Sequence, residues 1–65
     1  MKYNTKLIDN YIDENNISKT QFAKNCKLSL KTINNLYSQT ENIKILALCK
    51  IARRLDVSIK DLIVE

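Results

Sequence analysis

Ile17-Ser18-Lys19-Thr20-Gln21-Phe22-Ala23-Lys24-Asn25-Cys26-Lys27-Leu28-Ser29-Leu30-Lys31-Thr32-Ile33-Asn34-Asn35-Leu36-Tyr37 is the stretch that decides the fold. It contains two helix starts of one design. At the first, Ser18 is placed to cap a helix, Gln21 to reach back to the cap amide, and Ile17 to pack on Phe22. That combination is a capping box with a hydrophobic staple. At the second, Leu28 and Ile33 bracket Ser29 in the same way. A serine cap satisfies an amide of the first turn that otherwise has no partner, typically worth about 1 kcal/mol. The spacing predicts short helices at about 19–26 and 30–37, three residues apart. Two short helices so joined form a helix-turn-helix.

Working outward, Val57-Ser58-Ile59-Lys60-Asp61-Leu62 repeats the start once more, with Asp61 in the reciprocal position. Leu7, Ile8, Tyr11 and Ile12 recur at helical spacing and predict a helix at about 5–15, with Asn4 as its cap. Ile45, Leu48, Ile51, Ala52 and Leu55 set a further apolar stripe, so a helix is predicted at about 43–55 and a last one at about 59–63. The expected fold is all-α, with five helices and short connections that force close packing. The expected domain organisation is one domain over 1–65.

Composition agrees. The chain has 65 residues, 45% of them hydrophobic, and contains no Gly, Pro, His or Trp. Tight hairpins lose their usual turn residues, which argues against an all-β or βαβ architecture. Without His, the commonest general base and the commonest metal ligand are missing. No nucleophile–base pair and no glycine-rich phosphate loop is present, so the sequence does not read as an enzyme. No cofactor, metal or small-molecule ligand is expected. Cys26 and Cys49 sit inside apolar patterns and read as free buried thiols of a reducing, cytoplasmic compartment. No apolar run approaches the roughly 20 residues a membrane span needs, and the polar N-terminus does not read as a signal peptide.

Net charge is +4, unevenly spread. Lys19, Lys24, Lys27, Lys31 and Lys44 face only Glu41 between residues 17 and 44, so the middle of the chain supplies the whole excess. A basic patch there points to a polyanion, most often nucleic acid, or else to a solvated face. Physically the motif suits DNA: the first helix crosses the backbone and the second lies in the major groove with its first residues at base edges. Lys31, Thr32, Asn34 and Asn35 point outward from the second helix, and residues 28–40 contain no acid. Asn pairs with adenine, Lys donates to guanine, and a Leu or Thr methyl meets a thymine methyl.

Ile17 to Ala23, Leu28-Ser29, Thr32 to Leu36, then Ile45, Leu48, Ile51-Ala52, Leu55, Val57-Ser58 and Asp61-Leu62 together resemble the phage-repressor and Cro-like helix-turn-helix family. These are bacterial regulators of the xenobiotic-response-element type. The resemblance runs without gaps from about residue 17 to 63, and the first helix fits in front of it. It implies a compact lambda-repressor-like domain that binds double-stranded DNA. It implies base contacts from Leu30, Lys31, Thr32 and Asn35, with Asn34 nearer the edge. It implies phosphate contacts from Lys19 and from Thr40, Asn42 and Lys44. Leu30 has partial packing as its other reading.

Several positions depart from the family. Lys27 and Gln39 stand where the family usually has Gly, Asp56 where Gly is frequent, Ile43 where Pro is frequent, and Tyr37 where Glu is common. Keeping the turn requires Lys27 to be left-handed, at a cost on the order of 1 kcal/mol. In return it gains a place as a further cation near phosphate. Leu46 and Val64 lie outside the predicted core stripe, and either suit ordinary exposure or mark the contact of a homodimer.

The function implied is sequence-specific transcription regulation, by a small repressor of phage, plasmid or mobile-element type. A second reading is a protein-binding helix-turn-helix module, an antitoxin or adaptor working through a partner protein. A third, a membrane-active basic helix over 45–55, conflicts with the use of that helix's stripe for the core.

Overall fold

The computed structural model describes residues 2–39 and 43–64. In chain order the elements are β1 (Lys2–Tyr3), α1 (Thr5–Asn15), α2 (Lys19–Asn25), α3 (Leu30–Ser38), α4 (Ile45–Leu55), α5 (Ile59–Leu62) and β2 (Ile63–Val64). All five expected helices are present, most of their ends within a residue of expectation. Phe22, Ile8, Ile33, Leu36, Leu48, Ile51 and Leu62 are fully buried and form the centre of one core. Tyr11 meets Phe22 edge-on, ring centroids 5.5 Å apart, and so ties α1 to α2.

Three corners share one construction. Asn16-Ile17-Ser18, Lys27-Leu28-Ser29 and Asp56-Val57-Ser58 each comprise a left-handed residue, an apolar residue and the serine that starts the next helix. The apolar residue works in both directions. Its amide closes the helix behind: Ile17 N–H donates to the Ile12 carbonyl at 3.0 Å, Leu28 to Ala23 at 2.9 Å and Val57 to Ala52 at 3.0 Å. These are the wrapping bonds of a Schellman ending. Its side chain packs on the core beneath the helix ahead.

The serines then cap. Ser18 Oγ accepts from Gln21 N–H at 3.1 Å and Ser29 Oγ from Thr32 N–H at 3.2 Å. At α5 the reciprocal bond forms, Ser58 N–H donating to Asp61 Oδ2 at 3.2 Å. At α2 it does not, because the Gln21 amide donates instead to Asn25 Oδ1, one turn on. Asn4 caps α1 without a side-chain bond; Leu7 N–H takes its backbone carbonyl.

Lys27 is left-handed as required, with φ of 60°. So are the other two positions where the family favours glycine, Gln39 at 57° and Asp56 at 60°, together with Asn16 at 53°. Asn and Asp tolerate this conformation through their short polar side chains, whereas Lys and Gln carry more of the Cβ penalty.

Three features differ from expectation. The chain's two ends pair as a short antiparallel ribbon, Lys2 opposite Val64 and Tyr3 opposite Ile63, which places Ile63 in a strand rather than in the last helix. Helix α4 begins at Ile45, not 43, because Lys44 is extended and Ile43 N–H donates to Tyr3 Oη at 2.8 Å. Ile45, expected in the core, is 63% exposed; Ile43 packs on the core in its place. Cys26 is buried and Cys49 half-buried, and both are free thiols.

Candidate nucleic-acid interface

Helix α3 is anchored on one side by Ile33 and Leu36, both with no exposed surface. That leaves the opposite side outward. Leu30, Lys31 and Asn34 are exposed, Leu30 by 39%, while Thr32 and Asn35 are half-buried. The Thr32 hydroxyl lies 3.0 Å from Ser29 Oγ, within the cap. The Asn35 carbonyl accepts from Gln39 N–H and from the Ser38 hydroxyl at the helix end. Of the two asparagines, Asn34 is the more exposed.

Lys19 opens α2, exposed, with its ammonium 3.9 Å from the centroid of the Tyr37 ring. Such a cation–π contact orients the charge without neutralising it. Tyr37 in turn donates its hydroxyl to Asp9 Oδ1 at 2.6 Å. Burial, then the Asp9 bond and charge, push the Tyr37 pKa far above the usual tyrosine range. Asp9 on α1, Tyr37 on α3 and Lys19 on α2 thereby form one chain of contacts. It fixes where the expected phosphate ligand stands. Tyr37 is half-buried, as a residue in this role must be.

Lys44 is exposed at the cap position of α4. Thr40 and Asn42 lie outside the described residues. The described residues on either side of them, Gln39 and Ile43, both bond to Tyr3. Tyr3 N–H donates to Gln39 Oε1 at 3.3 Å, and Tyr3 Oη accepts from Ile43 N–H. Sequence reasoning missed Tyr3 and Gln39 because their partners are 36 to 40 residues away and no local pattern announces them.

Lys27 is exposed and lines a groove shared with Lys50, Arg53 and Arg54 of α4. Lys24, also exposed on α2, adds a further cation. Leu46 is 65% exposed and lines that same groove, while Val64 is 43% exposed and lines a separate one with Lys2 and Lys6.

The geometry is that of a helix-turn-helix with its second helix presented outward. Residues 7–64 match the family model described as Cro/C1-type HTH DNA-binding domain. The chain belongs to that family. The match begins within α1 and runs through α5, and the family is one of DNA-binding domains of the regulator kind. No curated protein and no solved structure matches the chain. No helix among the described residues is long and apolar enough to cross a membrane.

Proposed function

We propose that residues 1–65 act as one sequence-specific repressor domain of phage, plasmid or mobile-element type, docking α3 in the major groove at a promoter. The observation that carries this is the outer side of α3, where Leu30, Lys31 and Asn34 stand exposed on a helix whose inner side is fully buried. Thr32 and Asn35 flank them and reach base edges once the helix is seated. Lys19, Lys27, Lys44 and the segment holding Thr40 and Asn42 contribute phosphate contacts. Those give most of the affinity and a steep dependence on salt.

The proposal includes a homodimer. One module of this size buries only about 600–1,000 Å² of protein surface on DNA, which is too little for tight specific binding. A second copy presents two recognition helices about 34–36 Å apart on one face of the duplex. Leu46 and Val64 line different grooves with no lining residue in common. A two-fold contact at Leu46 sets Lys27, Lys50, Arg53 and Arg54 against themselves and one at Val64 only Lys2 and Lys6, so the Val64 side meets less like-charge repulsion and is the better contact for a second copy.

The test is selection of duplexes from a random pool at about 0.15 M salt, where non-specific binding is already weakened. An inverted repeat with half-site centres about one helical turn apart is the expected product. On that site, Lys31→Ala and Asn34→Ala are each expected to cost about tenfold or more in affinity with an unchanged circular-dichroism spectrum. Full affinity in both variants overturns the docking; enrichment of a lone half-site overturns the dimer.

A further inference from the structure

The groove between the α2–α3 turn and α4 has a volume of about 510 Å³ and is no part of the α3 surface. Its apolar contribution comes from Leu46 with the two thiol-bearing residues Cys26 and Cys49. Its rim is cationic: Lys27 on one side, Lys50, Arg53 and Arg54 on the other, and no acidic residue lines it. Arg54 is held in place, its Nη2 donating to the Asn25 carbonyl at 2.7 Å across the groove. Leu46, Lys50 and Arg53 recur at the spacing of a single helix face. One face of α4 therefore offers an apolar contact beside two exposed cations.

We propose that this groove docks an acidic, leucine-bearing segment of a partner protein. Charge complementarity selects the occupant. A segment that places an apolar side chain on Leu46 and carboxylates on Lys50 and Arg53 satisfies both halves of the surface. A phosphate backbone satisfies only the rim and leaves the exposed leucine in water. A second copy related by a two-fold axis sets cation against cation. The groove thus gives a regulator a handle lined by no residue of α3.

The experiment uses the full chain and fluorescence anisotropy of a short labelled peptide of alternating leucine and aspartate. A second peptide replaces its leucines by serine. Saturable binding of the first is expected, weakened at least about tenfold by Leu46→Ser and by the serine peptide, since each removes a buried leucine contact. Arg53→Gln is expected to weaken it while Lys60→Gln, an exposed cation of α5 outside the groove, leaves it unchanged. On DNA these two charge-matched variants are expected to behave alike. Thermal unfolding of each variant confirms that it is folded.

No binding of the leucine peptide overturns the proposal. So does equal binding of the two peptides, which marks simple polyanion attraction. So does a selective loss of DNA affinity in Arg53→Gln, which makes the groove a phosphate contact. A fall in sedimentation mass in Leu46→Ser without loss of peptide binding makes it a self-association surface instead. None of these outcomes touches the α3 reading, which the duplex selection tests on its own.

Discussion

The corners at 16–18, 27–29 and 56–58 and the connection from Gln39 to Ile45 do the same job by different means. Each corner is built from three adjacent residues, and every bond that defines it spans five positions or fewer. The α3–α4 connection opens with the same left-handed step, at Gln39, yet α4 starts on Lys44 with no side-chain cap. Its anchor is Tyr3, at the far end of the chain. The corners fix the angles between helices. The flanks of the segment where phosphate contacts are expected, Gln39 and Ile43, are held from a distance. The motif is thus written locally, while the residues that leave α3 and enter α4 depend on Tyr3 at the other end of the fold.

The sharpest way to break this contrast is Tyr3→Ala. Tyr3 is 3% exposed, and deleting a buried aromatic side chain costs roughly 3–5 kcal/mol. Urea denaturation should show that loss. Tyr3→Phe keeps the ring and leaves Ile43 N–H without its partner, for a cost of about 1–3 kcal/mol. Faster amide hydrogen exchange at Ile43, with the α2–α3 amides unchanged, is the expected pattern. Equal acceleration across α2 and α3 contradicts the division between local corners and distant anchor.

Ser29→Ala comes next, at about 1 kcal/mol in the same assay, because it removes one cap and leaves the Schellman bonds of the corner intact. Lys27→Gly tests the other end of that corner. Glycine relieves the left-handed penalty and adds freedom to the unfolded chain, so a net gain below about 1 kcal/mol is expected. A clear loss of stability shows that the Lys27 side chain contributes packing along the groove.

The smallest effect concerns Tyr37→Phe and has a defined pH dependence. The folded-state pKa of Tyr37 lies above its unfolded value. The stabilisation is therefore complete below the ordinary tyrosine pKa and is lost as pH rises beyond it. The stability difference between the native chain and Tyr37→Phe should accordingly shrink above that pKa. A difference that grows there contradicts the Asp9 bond.

These contrasts explain what was legible in the sequence. Ile17, Leu28, Val57 and the serines after them announce the helix starts because capping and stapling are short-range. Lys27 was legible as left-handed because the family register demanded a turn there. The α4 boundary, the exposure of Ile45 and the terminal ribbon were not, since each depends on Tyr3 meeting residues 36 to 60 positions away. At the candidate interface, α3 and its outward side were legible, but how far each residue is exposed was not, since that depends on how far the helix is rolled on Ile33 and Leu36, and periodicity fixes such a rotation only coarsely.

The ribbon that pairs Lys2–Tyr3 with Ile63–Val64 also bears on how the chain reaches its fold. It closes the longest loop available to the described residues, so its loop-closure entropy is lost before its few contacts return anything. Helix α2 and helix α3, joined by the four residues 26–29, face no such barrier. The ribbon therefore belongs to the late side of the folding barrier, and substitutions at Tyr3 quicken unfolding more than they slow folding. Stopped-flow unfolding is expected to show the larger effect of ribbon substitutions, and refolding the larger effect of substitutions between α2 and α3.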